Sequence, residues 1–292
     1  MFDQNNTHAL NLVGEYAVIQ PNSVGNESAD FNLPQSIFPF WMGTVSEAIW
    51  LIGIERNAGK MLGAAYAPTF QNLNSYEWAP DMISFTADPA QDVHSTSYHM
   101  VQLFSGTRFT EVLPVTSTTN FGPVYWVAGQ NTATGSHILK VAVYNSTGTV
   151  PITVSFGGVL PGVQAILTIL TAPNGTSYAQ IGSDPVITTV TTLTAGTQGF
   201  SFNMPDLSIA VLSTNPGSKN TTNSASLVGT KSAGTSTARI SSASTKSAGT
   251  TTPAPSSAIT KTISSKTAGT TTSANCGAVH VGQGGTLWIG CG

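Results

Sequence analysis

Leu12-Val13-Gly14-Glu15-Tyr16-Ala17-Val18-Ile19 is a short apolar run broken by a single acid. Runs of this length and composition form a covered strand, and a carboxylate near the end of one has to meet a partner or a ligand. The sequence on its C-terminal side continues in kind. Gly43-Thr44 offers an N-cap, followed by Val45, Ala48, Ile49 and Ile52 at helical spacing and by Glu55-Arg56-Asn57 at the far end. Met61 to Ala67 returns to a buried strand that Pro68 stops. Met82-Ile83-Ser84-Phe85 reads as a further strand, and Ser97 to Phe104 as a helix with Tyr98, Val101, Leu103 and Phe104 inward. Strand, helix, strand, helix is the grammar of an α/β barrel or a doubly wound sheet.

Beyond about residue 108 the pattern changes. Val124-Tyr125-Trp126-Val127, Ile138-Leu139-Lys140-Val141-Ala142-Val143-Tyr144, Ile152-Thr153-Val154-Ser155-Phe156 and Ala165-Ile166-Leu167-Thr168-Ile169-Leu170 are β-branched and aromatic runs. Asn145-Ser146-Thr147-Gly148, Pro161-Gly162 and Pro173-Asn174-Gly175 punctuate them as turns. Short strands at this spacing predict an antiparallel, jelly-roll-like β-sandwich.

From about residue 215 the chain is of low complexity. Thr230-Lys231-Ser232-Ala233-Gly234-Thr235 recurs from Thr245 and, with small changes, from Ser265. Such Ser/Thr-rich sequence, with Pro253 and Pro255, reads as a disordered, O-glycosylated stalk unable to bury a core. All thirteen acids precede it, so the first 215 residues carry −9 and the tail, with six basic residues, +6. Those six are too dispersed for a nucleic-acid groove.

Only 8% of residues are charged, against roughly 25% in ordinary soluble domains, so Ser, Thr, Asn and Gly wet the surface. Secreted proteins that handle neutral sugars have this composition. Asn5, Asn26, Asn145, Asn174 and Asn220 head N-glycosylation tripeptides. Cys276 and Cys291 lie near the C-terminal end of the sequence, past the β-rich runs; fifteen residues apart, they are spaced to close a small loop in an oxidising compartment. There is no signal peptide after Met1 and no apolar run of membrane-spanning length, and the reading expects a truncated start and no membrane contact.

Glu15 is the first candidate for chemistry, because barrel enzymes place catalytic groups at the C-terminal ends of their strands. The competing reading is a strand-end Glu paired with an Arg. Read by themselves, Trp78 packs in the core and Asp81 makes an N-cap or a turn. Tyr16 bonds to Glu15 or fills the barrel. Glu47 and Glu55 fall on the helix and are read as solvated or paired with Arg56. His94 and His99 lack ligand spacing, so no metal and no cofactor are expected.

Taken in order, Val13-Gly14-Glu15-Tyr16-Ala17, Val45-Ser46-Glu47-Ala48, Gly53-Ile54-Glu55-Arg56-Asn57, Ala65-Tyr66-Ala67-Pro68-Thr69-Phe70, Trp78-Ala79-Pro80-Asp81-Met82-Ile83-Ser84-Phe85 and Tyr98-His99-Met100-Val101-Gln102-Leu103-Phe104-Ser105 resemble the last barrel segments of the eukaryotic-type family 51 α-L-arabinofuranosidases. The resemblance extends over residues 2–214, because the β-rich region matches that family's C-terminal sandwich in position. It implies a partial (β/α)8 barrel, its last two strand-helix units, over 1–108 and a sandwich over 109–214. A stalk follows over 215–275. It also implies that Glu15 is the nucleophile of a retaining double displacement, with Tyr16, Trp78 and Asp81 around the arabinose. The partner acid/base carboxyl, required at about 5–5.5 Å, follows an Asn on an upstream strand in that family and is absent from this chain. Gly25-Asn26-Glu27 mimics it in the wrong place.

His280-Val281-Gly282-Gln283-Gly284-Gly285-Thr286-Leu287-Trp288-Ile289-Gly290-Cys291 resembles the start of a fungal-type cellulose-binding module, lacking the Cys after Gln283. It implies a degenerate module over 276–292, with weak cellulose contact through Trp288. The expected function is release of terminal arabinofuranosyl groups from plant cell-wall arabinoxylan or arabinan, outside the cell, by a C-terminal fragment inactive alone. The alternative is a non-catalytic secreted carbohydrate-binding or cell-wall protein.

Overall fold

The computed structural model describes residues 9–19, 38–75 and 80–214, together with the backbone of 287–291. The low-complexity repeats, Cys276, Trp78, Glu27 and the first part of the module-like segment lie outside the described residues.

The chain opens with a parallel β-α-β unit. Strand β1 (Asn11–Tyr16) leads to helix α1 (Trp41–Arg56), which returns the chain to β2 (Met61–Tyr66), parallel to β1. The expected helix is there but begins earlier, at Trp41. Thr44 lies inside its first turns instead of capping it, and Phe40, which has no polar side chain, stands at the N-cap. Burial explains the difference: Trp41 is fully covered, and its indole N–H donates to the Leu207 carbonyl at 2.6 Å. Three short strands follow, β3 (Phe70–Asn72), β4 (Ile83–Phe85) and β5 (Val93–His94), in one small sheet. Helix α2 (Thr96–Gly106) comes next, capped by the Ser95 hydroxyl on the Tyr98 N–H.

The remainder is a two-sheet sandwich. Strands β6 (Glu111–Val112), β8 (Val124–Asn131), β9 (Ser136–Val143), β11 (Gln164–Thr171), β12 (Ile187–Thr194) and β14 (Ser208–Thr214) make a six-stranded sheet in the order β12-β11-β14-β9-β8-β6. Strands β7 (Val115–Ser117), β10 (Val150–Phe156), β13 (Phe200–Met204) and β15 (Leu287–Cys291) make the other, in the order β13-β10-β15-β7. The six-stranded sheet is antiparallel throughout; in the other, β15 runs parallel to β10. The four β-rich runs read from sequence all form strands. Six further strands, β6, β7, β12, β13, β14 and β15, complete the sheets; β12 is mostly threonine and exposed along nearly its whole length, which removes the apolar alternation that marks a strand.

Both faces of the six-stranded sheet are covered. Leu139, Val141 and Val143 of β9 face the second sheet with Ile152, Val154, Phe200 and Met204. Their neighbours Ile138 and Ala142 face Val45, Ala48 and Ile52 of α1 and Met100 and Phe104 of α2. A strand buried on both faces reads as a continuous apolar run, as β9 and β14 do. Gly129 is needed where β8 passes under Phe109, whose ring would meet a Cβ at 2.1 Å. Helix α1 thus lies between the β1–β2 pair and the sandwich, packed on one side by each.

Candidate functional site

The C-terminal ends of β1 and β2 bring the notable side chains together. Val13 pairs with Ala64 and Tyr16 with Tyr66, so two residues of β1, Gly14 and Glu15, stand opposite one of β2. That is a bulge. It breaks the strict alternation of a strand, and bulges recur beside active sites because they re-aim a side chain. Here Gly14 and Glu15 are both exposed, whereas Tyr16 turns back toward α1.

Tyr16 packs its ring 4.8 Å from that of Trp50 and edge-on to Tyr66 at 5.3 Å. Burial, and then the charge of Glu47, pushes its phenol well above the ordinary value. Glu15 and Tyr16 therefore serve opposite sides of the strand: one open to solvent, the other part of the packing beneath.

Beneath them lies a buried polar cluster centred on Glu47. Glu47 of α1 is 1% exposed. Its Oε1 accepts the Val18 N–H at 2.9 Å and its Oε2 the Ser97 hydroxyl at 2.6 Å. It is neither solvated nor paired with Arg56. Burial lifts its carboxyl to about 7, against the smaller lowering by Ser97, Val18 and Tyr66. The Tyr66 hydroxyl stands close to this carboxyl without the geometry of a full hydrogen bond. Hydroxyls extend the cluster: Thr44 Oγ1 lies 3.1 Å from Ser97 Oγ and 2.7 Å from Thr96 Oγ1, and Thr96 donates to the Pro39 carbonyl at 3.0 Å. Ser97 gives its one hydrogen to Glu47 and Thr96 gives its own to Pro39, so the Thr44 hydrogen is shared between them.

Asp81 sits next to this group. It is fully buried, and its Oδ1 accepts the Ser84 hydroxyl at 2.5 Å, while Oδ2 has no partner among the described residues. Burial raises its carboxyl to about 6, the Ser84 bond opposing. Its charge reaches Tyr66, whose phenol is pushed far up, chiefly by burial.

The other helix glutamate also departs from the expectation. Glu55 is held by Lys140 of β9, Nζ to Oε1 at 2.5 Å, and Arg56 instead donates to the Trp126 carbonyl at 2.9 Å and covers the Phe121 ring at 4.5 Å. The spacing Trp41, Val45, Ala48, Ile52, Glu55 puts Glu55 on the apolar stripe of α1, a signal legible in the sequence. The position of Glu47, off that stripe, carried no such signal.

Among the described residues no three His, Cys, Asp or Glu cluster as a metal site, and no helix is long and apolar enough to cross a membrane.

Comparison with known proteins adds three findings. Residues 14–208 match the family described as the α-L-arabinofuranosidase C-terminal domain. Probable α-L-arabinofuranosidase A of Aspergillus terreus is 39% identical over 178 residues, and that of Aspergillus oryzae 34% over 211. The matches cover 61% and 72% of this chain but only 27% and 30% of those proteins. Among solved structures, an arabinose-bound GH51 α-L-arabinofuranosidase superimposes with a TM-score of 0.60 at 27% identity, over 73% of this chain and 33% of that one. The GH51 enzyme of Thermotoga petrophila shares the fold at a TM-score of 0.53 and 13% identity, over 69% and 42%.

Proposed function

Because this chain belongs to the α-L-arabinofuranosidase C-terminal domain family, we propose that it serves a retaining α-L-arabinofuranosidase, with Glu15 as the nucleophile. The observation that carries the reading is the bulge at Gly14-Glu15, which turns one exposed carboxylate outward at the C-terminal end of a parallel strand.

In this reading β1, α1 and β2 are the last two strand-helix units of a (β/α)8 barrel. Leu12 and Leu62, 67% and 65% exposed, lie on the face that the remaining strands would cover. A two-stranded sheet is marginal alone, and the curated relatives are more than three times as long as the matched segment. The Glu15 carboxylate attacks the anomeric carbon of an arabinofuranosyl group. The glycosidic C–O bond breaks, and the departing oxygen takes a proton from a second carboxyl, supplied by a part of the barrel that the matched segment does not include. Water, deprotonated by that same carboxyl, then attacks the arabinosyl ester, and Glu15 is released. Of the residues expected around the sugar, Tyr16 is turned back onto Trp50 and Tyr66 and Asp81 is fully buried against Ser84, so both support the site from beneath. Trp78 is kept at the sugar on the resemblance, and the substrate in this proposal is arabinose-bearing plant polysaccharide. Exposed sequons at Asn145 and Asn174 support secretion. The stalk and the cellulose-binding character of the C-terminal segment rest on the sequence resemblance.

The test uses a substrate that needs no acid. A 2-fluoro-α-L-arabinofuranosyl donor with a strongly activated leaving group requires the nucleophile only. Incubated with the 292-residue chain, it is expected to leave one fluoropentosyl group on Glu15, located by peptide mass mapping, and none on Glu15→Gln. A wild-type chain that stays unlabelled at Glu15 overturns the assignment. If such a chain still binds arabinoxylan, the non-catalytic binding reading takes its place.

A further inference from the structure

We propose that Glu47 is the positioning residue of this site: it anchors the chain leaving β1 and thereby fixes the direction in which the Gly14-Glu15 bulge presents the nucleophile. The inference rests on the nucleophile reading above and adds a residue that reading does not use.

Residues within a bulge have lost their ladder partners, so their orientation is set by what holds the chain on either side. Upstream, Val13 is paired with Ala64. Downstream, Tyr16 pairs with Tyr66, the Ala67 N–H donates to the Tyr16 carbonyl at 3.1 Å, and the Val18 N–H, three residues past Glu15, donates to Glu47. Of these restraints only the last is made by a side chain.

That side chain sits where three segments converge. Oε1 holds the turn after β1, Oε2 holds Ser97 in the first turn of α2, and Tyr66 at the end of β2 stands alongside. Among the described residues no basic side chain contributes to its surroundings. A buried carboxylate without a cation is costly, and an apolar residue would fill the same place between α1 and α2 more cheaply. What the carboxylate provides is two acceptor atoms for two donors on separate segments. A charged acceptor holds a backbone N–H more tightly than a neutral one.

Titration supplies a readout that simple packing would not move. Ionised Glu47 accepts from both donors; once protonated, one oxygen becomes a donor and the grip on Val18 or Ser97 weakens. The ionisable groups facing it are Tyr16 from β1 and Tyr66 from β2, both titrating far above neutrality, with Asp81 beyond Tyr66. On α2, His99 points to Asp184 instead, and Lys140 of β9 is engaged with Glu55.

The experiment measures the rate of Glu15 labelling by the activated fluoro-arabinofuranosyl donor, as a function of donor concentration and pH. Glu47→Gln is isosteric, and the hydroxyl chain accepts it by running one way, Ser97 to Thr44 to Thr96 to Pro39. The saturating rate is expected to fall roughly five- to tenfold, as for replacing a charge-assisted hydrogen bond by a neutral one, with the half-saturating concentration little changed. Wild type is expected to lose rate as pH falls through about 7. That inflection vanishes in Glu47→Gln and persists in Asp81→Asn. Ser97→Ala, which removes a bond that favours the ionised form, is expected to shift the inflection to higher pH. A Glu47→Gln chain that labels at the wild-type rate with the same inflection, or a Ser97→Ala chain with an unmoved one, overturns the proposal. An unlabelled wild type removes the nucleophile reading itself, and this inference falls with it.

Discussion

Helix α1 carries a fully buried glutamate in its N-terminal half, Glu47, and a partly exposed one near its C-terminal end, Glu55, and the two are treated in opposite ways. At the C-terminal end Glu55 meets Lys140, which is 1% exposed, donates also to the Phe104 carbonyl at 3.0 Å, and lies over the Phe104 and Phe109 rings. Burial pushes the Glu55 carboxyl up and the Lys140 amine down, and each charge offsets the other's penalty. In the N-terminal half Glu47 has hydrogen bonds and, among the described residues, no cation. The first arrangement clamps the helix to the sandwich. The second leaves a carboxyl poised near neutrality within a few residues of the bulge. On one helix, the presence or absence of a counter-charge separates a structural acid from one available for regulation of a site.

The most damaging way to break this comparison is to take away the counter-charge. Lys140→Ala should cost about 3–5 kcal/mol in denaturant unfolding, because it strands Glu55 unpaired. Replacing both partners with apolar residues, Lys140→Met with Glu55→Leu, should restore most of that. If the single variant is as stable as wild type, the clamp is not one.

The next effect separates the ends by pH. Glu47 ionises near 7 in the folded chain against 4.5 unperturbed. Below 4.5 both states hold the proton. Between the two values only the folded state does, so stability falls as pH rises through this window. The loss is on the order of 3 kcal/mol. Asp81, at about 6 against 3.8, adds a loss of the same sign over a lower range. Unfolding measured from pH 4 to 8 should show a shallower slope in Glu47→Gln than in wild type; equal slopes would mean that Glu47 does not titrate there.

A smaller effect sharpens the Glu47 side. Ser95 caps α2, the helix that presents Ser97. Ser95→Ala should cost about 1 kcal/mol in thermal or chemical unfolding. The smallest expected effect is Glu15→Gln: on an exposed bulge residue it should change stability by less than about 0.5 kcal/mol while abolishing the label. A large stability loss there would recast Glu15 as a structural residue.

Much of this architecture was legible beforehand because periodicity reports burial. The apolar run around Glu15, the Val45-Ala48-Ile52 stripe and the four β-rich runs all found their elements. Strand β12 was not legible, since Ile187–Thr194 is exposed on both faces and shows no alternation of burial. The helix start was misplaced because Thr44 is a good cap by type, yet its hydroxyl is committed to Thr96 and Ser97, across to α2. Of the candidate residues, Glu15 came from chemistry at a strand end, and Asp81 from the family resemblance. Glu47 came from neither, because a glutamate off a helix's apolar stripe ordinarily faces water.

By itself the sequence determined which segments would be strands and helices and where the α/β part gives way to the sandwich strands; the strand that carries Glu15 formed, but it is half-exposed instead of buried. Element type and boundary are local matters, decided by side-chain type and spacing along one segment. Only the tertiary structure decided that Gly14 and Glu15 form a bulge, that Glu47 binds Val18 and Ser97, and that Lys140 answers Glu55. Each of these joins residues from separate segments, up to 85 positions apart for the Lys140–Glu55 pair. The environment that sets a buried carboxyl's charge is assembled only when those segments pack.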